Sequence, residues 1–140
     1  MRWLVDGMNV IGARPDGWWR DRAGAARRLA AALRQLAADR GEHITVAFEG
    51  TQVPELPRGG HDGLTVLYAR RRGANAADDR IVEVVAADPD PASLSVVTSD
   101  RDLARRVRDL GAVVVSPSVL LRQLRATPEG RDEGREGGAG

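Results

Sequence analysis

Short apolar runs closed by an acid or a glycine alternate along this chain with stretches whose apolar residues recur every three or four positions. The first kind of pattern predicts buried strands and the second predicts helices with one inward face. Trp3, Leu4 and Val5 form the first run, which ends in Asp6-Gly7. Asp21 is placed to cap a helix reaching about Arg40, because Ala26, Leu29, Leu33 and Leu36 fall on one stripe and Gly41 supplies the stop. Arg20, Arg27 and Arg34 stand seven apart and share another face. Ile44 to Phe48 is the second strand, ending in Glu49-Gly50. Thr51 to Gly63 reads as a loop, and Ala13 to Trp19 as another.

Leu64 to Ala69 is the third strand, followed by Arg70, Arg71 and Arg72. Asn75 can cap a helix over Ala76 to Ala87, with Ile81, Val82, Val84 and Val85 as its apolar side, and Pro89 and Pro91 stop it. Leu94 to Val97 is the fourth strand and runs into Thr98-Ser99-Asp100. Leu103, Val107 and Leu110 then mark the inward face of a helix stopped by Gly111. Ala112 to Val115 is the fifth strand, and Val119 to Leu124 a last short helix. Strand and helix alternate almost throughout. The expected fold is therefore an α/β three-layer sandwich with a central five-stranded parallel sheet and right-handed crossovers. The domain should span residues 1–126, with 127–140 a disordered tail, since the charges and glycines there offer no core.

Composition narrows the chemistry. The chain has 140 residues and no cysteine, which removes disulfides, thiolate metal sites and Cys nucleophiles. Its opening apolar run is too short for a signal peptide, and no run reaches membrane-spanning length, so a cytoplasmic protein with no membrane partner is expected. The net charge of +1 is too small to imply nucleic acid by itself. All 21 basic residues are arginines. No glycine fingerprint for a dinucleotide or nucleoside triphosphate is present.

The acids carry more information. Asp6 falls at the carboxyl end of the first strand, where open α/β sheets bind ligands. Taken alone, Asp6-Gly7 reads equally as a turn in which the carboxylate bonds its own loop amides. Asp78 precedes Ile81 by three and Val85 by seven, which puts it on the buried stripe of its helix. Asp100 stands in the same relation to Leu103 and Val107. Each acid has a plain alternative as a helix cap, and Asp79 and Asp102 read as solvated first-turn charges. Three inward carboxylates on one rim are harder to explain as caps. Two carboxylates about 4 Å apart repel by about 4 kcal/mol at an effective dielectric near 20. A divalent cation or a retained proton would relieve them, and oxygen ligands suit Mg²⁺ or Mn²⁺.

Three segments resemble one known family. Val5-Asp6-Gly7-Met8-Asn9-Val10-Ile11 looks like the opening of NYN domains of the YacP-like group, within the PIN-like nuclease superfamily. Asn75-Ala76-Ala77-Asp78-Asp79-Arg80-Ile81 is similar to that group's T-A-D-[DE]-x-I helix start, and Val97-Thr98-Ser99-Asp100 to its V-T-S-D motif. The chain departs at Ala77, after Ala76 where the group has Thr-Ala, and at Glu49-Gly50. Longer members extend past the last helix. The resemblance implies a PIN-like sheet and a metal-dependent endoribonuclease acting on single-stranded or loop RNA. It makes Asp6, Asp78 and Asp100 ligands of Mg²⁺ or Mn²⁺, and Asn9 a further catalytic-site residue. It implies RNA as partner, with the ribosome as one place to meet it.

Other residues are weighed beside these. Arg70, Arg71 and Arg72 lie on the site's side of the sheet, either gripping phosphates or as a solvated loop. Trp18 and Trp19 are expected to pack their loop onto the sheet, with stacking on unpaired bases as the alternative. His43 and His61 read as surface residues, which leaves no histidine base. The competing functions are a DNA nuclease of the same chemistry and a non-catalytic RNA-binding module. A phosphatase with a D-x-D nucleophile pair is disfavoured, because Met8 stands where the second acid belongs.

Overall fold

A computed structural model describes residues 2–13, 17–48, 59–61, 63–69 and 76–126. In chain order the elements are β1 (Arg2–Asp6), α1 (Gly7–Gly12), α2 (Arg22–Arg40), β2 (His43–Phe48), β3 (Gly59–His61), β4 (Leu64–Tyr68), α3 (Ala76–Ala87), β5 (Leu94–Val97), α4 (Arg101–Asp109), β6 (Val113–Val115) and α5 (Pro117–Ala126). Single 3-10 turns stand at Trp18–Arg20 and Pro91–Ser93. The sheet order is β3-β4-β2-β1-β5-β6. Five strands are parallel, as expected, and β3 adds an antiparallel edge against β4.

That sixth strand corrects the reading of Thr51 to Gly63 as loop throughout. Gly59-Gly60-His61 has no apolar pattern to reveal it. It pairs through its backbone, Gly59 opposite Val66 and His61 opposite Leu64. Gly63 makes the return possible at φ 88°, a left-handed conformation that glycine adopts without strain.

Helices cover both faces. Trp3 and Val5 of β1 point toward α1, α2 and α5, whereas Leu4 points toward α3 and α4, as the strand's two-residue alternation requires. The stripe Ala26, Leu29, Leu33 and Leu36 is buried, and the ends of α2 are those expected. Asp21 accepts from the Gly24 amide at 2.9 Å, and Gly41 closes the helix at φ 63°.

The first helix differs from expectation. Residues 7–12 turn as α-helix directly off β1, where a bare turn is expected. Six residues, two of them glycine, are too few to show a period and poor in intrinsic propensity. Burial of Val10 and Ile11 in the core holds them in place. Gly7 is required by crowding: a Cβ there would stand 2.6 Å from the Phe48 ring and 2.9 Å from the Ala47 carbonyl oxygen. Leu110 also departs from its inward assignment. It follows the end of α4 and faces solvent, because the chain there already turns into Gly111 at φ 100°. The expected cap at Asn75 and the expected tail after Thr127 lie outside the described residues.

Candidate active site

From β1 the chain reaches β2 on one side, and β5 lies on the other, so the sheet reverses its direction of winding between β1 and β5. The carboxyl ends of two such strands diverge and leave a crevice. Asp6 ends β1 and Thr98 follows β5, so both line this crevice. Asp6 continues the alternation from Leu4, which turns it toward the α3 and α4 face. That is the face on which the first turn of α3 carries Asp78 and the start of α4 carries Asp100.

Asp6 is 6 % exposed. Its Oδ2 accepts from the Thr98 hydroxyl at 3.0 Å. The same Thr98 oxygen accepts from the Asp100 amide at 3.1 Å, so one buried hydroxyl ties the two acid-bearing segments together. Burial pushes the Asp6 carboxyl up to about 6. The Thr98 hydrogen bond pulls against that shift, the Asp78 charge adds to it, the Asn9 amide opposes it, and the Asp100 charge adds a smaller push. The carboxylates thus feel one another across the crevice, and the first of them is held on the edge of protonation.

Asp100 also caps α4, its Oδ1 accepting from the Leu103 amide at 3.0 Å. One carboxylate oxygen is committed there. Asn9, in α1, is half-buried. Its Oδ1 accepts from both the amide and the hydroxyl of Ser99, each at 2.9 Å. Asn9 therefore fastens α1 to the turn between β5 and α4 and sets where Asp100 begins its helix. Asp79, expected as a solvated charge, is half-buried and accepts from Arg106 at 3.1 Å, which pins α3 to α4 behind the acids. Arg70, Arg71 and Arg72 lie outside the described residues. His43 is exposed, with its Nε2 3.2 Å from the Thr65 hydroxyl, at the opposite end of the sheet. Trp19 corrects the packing expectation: its side chain is 57 % exposed.

Thr98 and Ser99 are the residues that sequence reasoning left without roles. Both lie inside the quoted V-T-S-D segment, and that was their signal. A hydroxyl residue between an apolar strand and a capping acid is well placed to make a side-chain turn to the amide two residues on.

Among the described residues, no three His, Cys, Asp or Glu side chains are drawn together tightly enough to enclose an ion by themselves. Asp100 spends one of its oxygens on the cap of its helix. The donors are nonetheless hard oxygens with net negative charge. That set fits a cation such as Mg²⁺, which keeps several waters and takes only one or two carboxylates directly. It suits a soft metal badly.

A profile of the YacP-like NYN domain matches residues 3–136. The chain belongs to the YacP-like NYN domain family. This is a nuclease-type family. The crystal structure of Rae1 (YacP) from Bacillus subtilis is similar, with a TM-score of 0.74 and 26 % identity over 96 % of this chain and 79 % of that one. A tryptophan-to-leucine mutant of the same protein superposes with a TM-score of 0.72 at 25 % identity, covering 96 % and 80 % of the two chains. No curated protein matches the sequence. Among the described residues no helix is long and apolar enough to cross a membrane.

Proposed function

We propose that this YacP-like NYN domain is a divalent-metal-dependent endoribonuclease that hydrolyses single-stranded or loop RNA. Asp6, Asp78 and Asp100 would hold Mg²⁺ or Mn²⁺. The observation that carries the reading is the buried Asp6 carboxylate at the winding reversal of the sheet, raised by burial and by the Asp78 and Asp100 charges beside it. A fold that served structure alone gains nothing from such an arrangement, since it sets like charges together in a poorly hydrated place. When bound, a divalent cation supplies an acidified water for attack on phosphorus and a charge to offset the developing oxyanion. The chain's own residues prepare that chemistry. Thr98 orients Asp6, and Asn9 holds the Ser99 turn in place. The Arg106–Asp79 pair ties the first turn of α3 to the last turn of α4.

The decisive assay incubates the purified chain with structured RNA, single-stranded RNA and single-stranded DNA, each with Mg²⁺, Mn²⁺ or EDTA. Cleavage of unpaired RNA that EDTA abolishes is the expected result. Cleavage of DNA alone would make this a DNA nuclease. Binding of RNA without cleavage under any metal would leave a binding module.

A further inference from the structure

The charge of this chain is unevenly placed. From Gly17 to Arg40 stand six arginines against two acids, Asp21 and Asp39, a surplus of four positive charges. The total for the whole chain is +1, so everything else carries a net −3. One of those two acids, Asp21, has an oxygen committed to the cap of α2. Ala23, Ala31 and Ala38 of α2 are exposed and small, Arg34 is exposed and Arg27 half-exposed. Arg27 and Arg34, seven apart, project along one line of the helix.

The start of this line carries an aromatic group. In the Trp18–Arg20 turn, the Trp19 ring is 57 % exposed, and the Arg20 guanidinium lies 5.8 Å from its centroid. Both Asp6 and this turn belong to the carboxyl side of the sheet. The helix α2 must run antiparallel to β1 and β2 to join them, so its first residues start on the rim that holds the acids. An exposed indole backed by a guanidinium offers stacking for a base and charge for its phosphate.

We propose that Trp19, Arg20, Arg27 and Arg34 form a track for single-stranded RNA flanking the cut site. Trp19 stacks an unpaired base beside the rim, and the arginines follow the phosphates down α2. This rests on the nuclease reading above and adds to it the surface that would hold the unpaired strand. A duplex presents phosphates but no free base face, so Trp19 would discriminate between the two.

The test uses the full chain in EDTA, where no cutting occurs, with fluorescein-labelled single-stranded RNA of about fifteen nucleotides, and a duplex of the same sequence, read by anisotropy. Trp19→Ala should weaken single-strand binding about ten-fold and leave the duplex unchanged, with Trp19→Phe restoring most of the loss. The double change Arg27→Ala with Arg34→Ala should reduce the slope of log affinity against log salt by about 1.4 on single strands. With Mn²⁺ present, Trp19→Ala should raise KM and leave kcat unchanged. Melting curves confirm that each variant is folded. Unchanged affinity in Trp19→Ala, an equal loss on duplex, or an unchanged salt slope would each overturn the track. If the variants fail these tests while wild type still cuts RNA, only the track falls. If wild type neither binds nor cuts RNA, the nuclease reading falls and the track with it. A salt-dependent surface indifferent to Trp19 would indicate an acidic protein as the occupant, and would count against RNA.

Discussion

The two ends of the β-sheet treat charge in opposite ways. At the amino end, Arg2 makes a two-pronged contact with Asp88, at 2.6 and 3.0 Å, and also reaches the Asp90 carbonyl and the Ser93 hydroxyl. Asp88 itself accepts from the Asp90 amide at 2.8 Å. The guanidinium beside it holds the Asp88 carboxyl below its ordinary range. At the carboxyl end, Asp6 is buried with a hydroxyl and an amide as partners, and two like charges nearby drive its pKa upward. One rim pairs its charges and closes the structure. The other sets the Asp78 and Asp100 charges against a buried carboxylate, and a perturbed acid in a crevice is a candidate functional site.

The largest effect should come from Asp78→Asn. The change preserves shape and removes one negative charge from the crevice. On the nuclease reading it lowers cleavage by on the order of 10²–10³-fold, the cost typical of losing one electrostatic element of a transition-state site. Melting temperature without metal should hold or rise, because a repulsion has been removed. Gel-based cleavage and a melting curve, each with and without Mn²⁺, check both statements. Full activity in the variant would leave the carboxyl rim no more functional than the amino rim.

Asp6→Asn should lower cleavage as Asp78→Asn does, and the effect that sets it apart, next in size, is on stability. The folded-state pKa of about 6 lies above the ordinary carboxyl value of 3.8. The wild-type chain is therefore favoured while Asp6 is protonated and loses that advantage as pH rises through about 6. At about pH 8 the asparagine variant should be more stable than wild type by about 1–3 kcal/mol, and near pH 4 the difference should vanish. Urea unfolding across this range measures it. A variant less stable than wild type at high pH would mean that the ionised carboxylate is well solvated or well paired. The contrast between the two rims would then fail.

The smallest effect belongs to Asp88→Asn. The lowered pKa of Asp88 gives a contribution that is present above the ordinary carboxylate range and fades as pH falls through the folded value. Its sign is opposite to that of Asp6. The Arg2 side chain is partly open to solvent, so the drop in melting temperature should be small, weaker in high salt, and absent in acid. A drop that persists in acid would assign the loss to the hydrogen-bond network around Ser93, not to charge.

Much of this molecule is legible before folding. The α2 stripe, the Asp21 and Gly41 ends of that helix and the five parallel strands all follow from periodicity and end chemistry. These features are local: each depends on residues within one element and on water being excluded from one side of it. The sequence could also nominate Asp6, Asp78 and Asp100, since spacing alone puts each at a strand end or on an inward first turn.

Only the tertiary structure decides what those acids meet. The winding reversal between β1 and β5 brings residues 6 and 98 together across 92 positions of chain, and no local pattern encodes that distance. The same closure makes the Asn9 Oδ1 the acceptor that holds the Ser99 turn. It stabilises α1 against weak propensity, because Val10 and Ile11 have a core to enter. It adds β3 through backbone pairing alone, which side-chain patterns cannot report. Burial also sets the charge state of Asp6. A carboxylate loses its hydration only when the chain around it has packed, so the sequence determines which acid stands at the rim, and the fold determines how readily it gives up its proton.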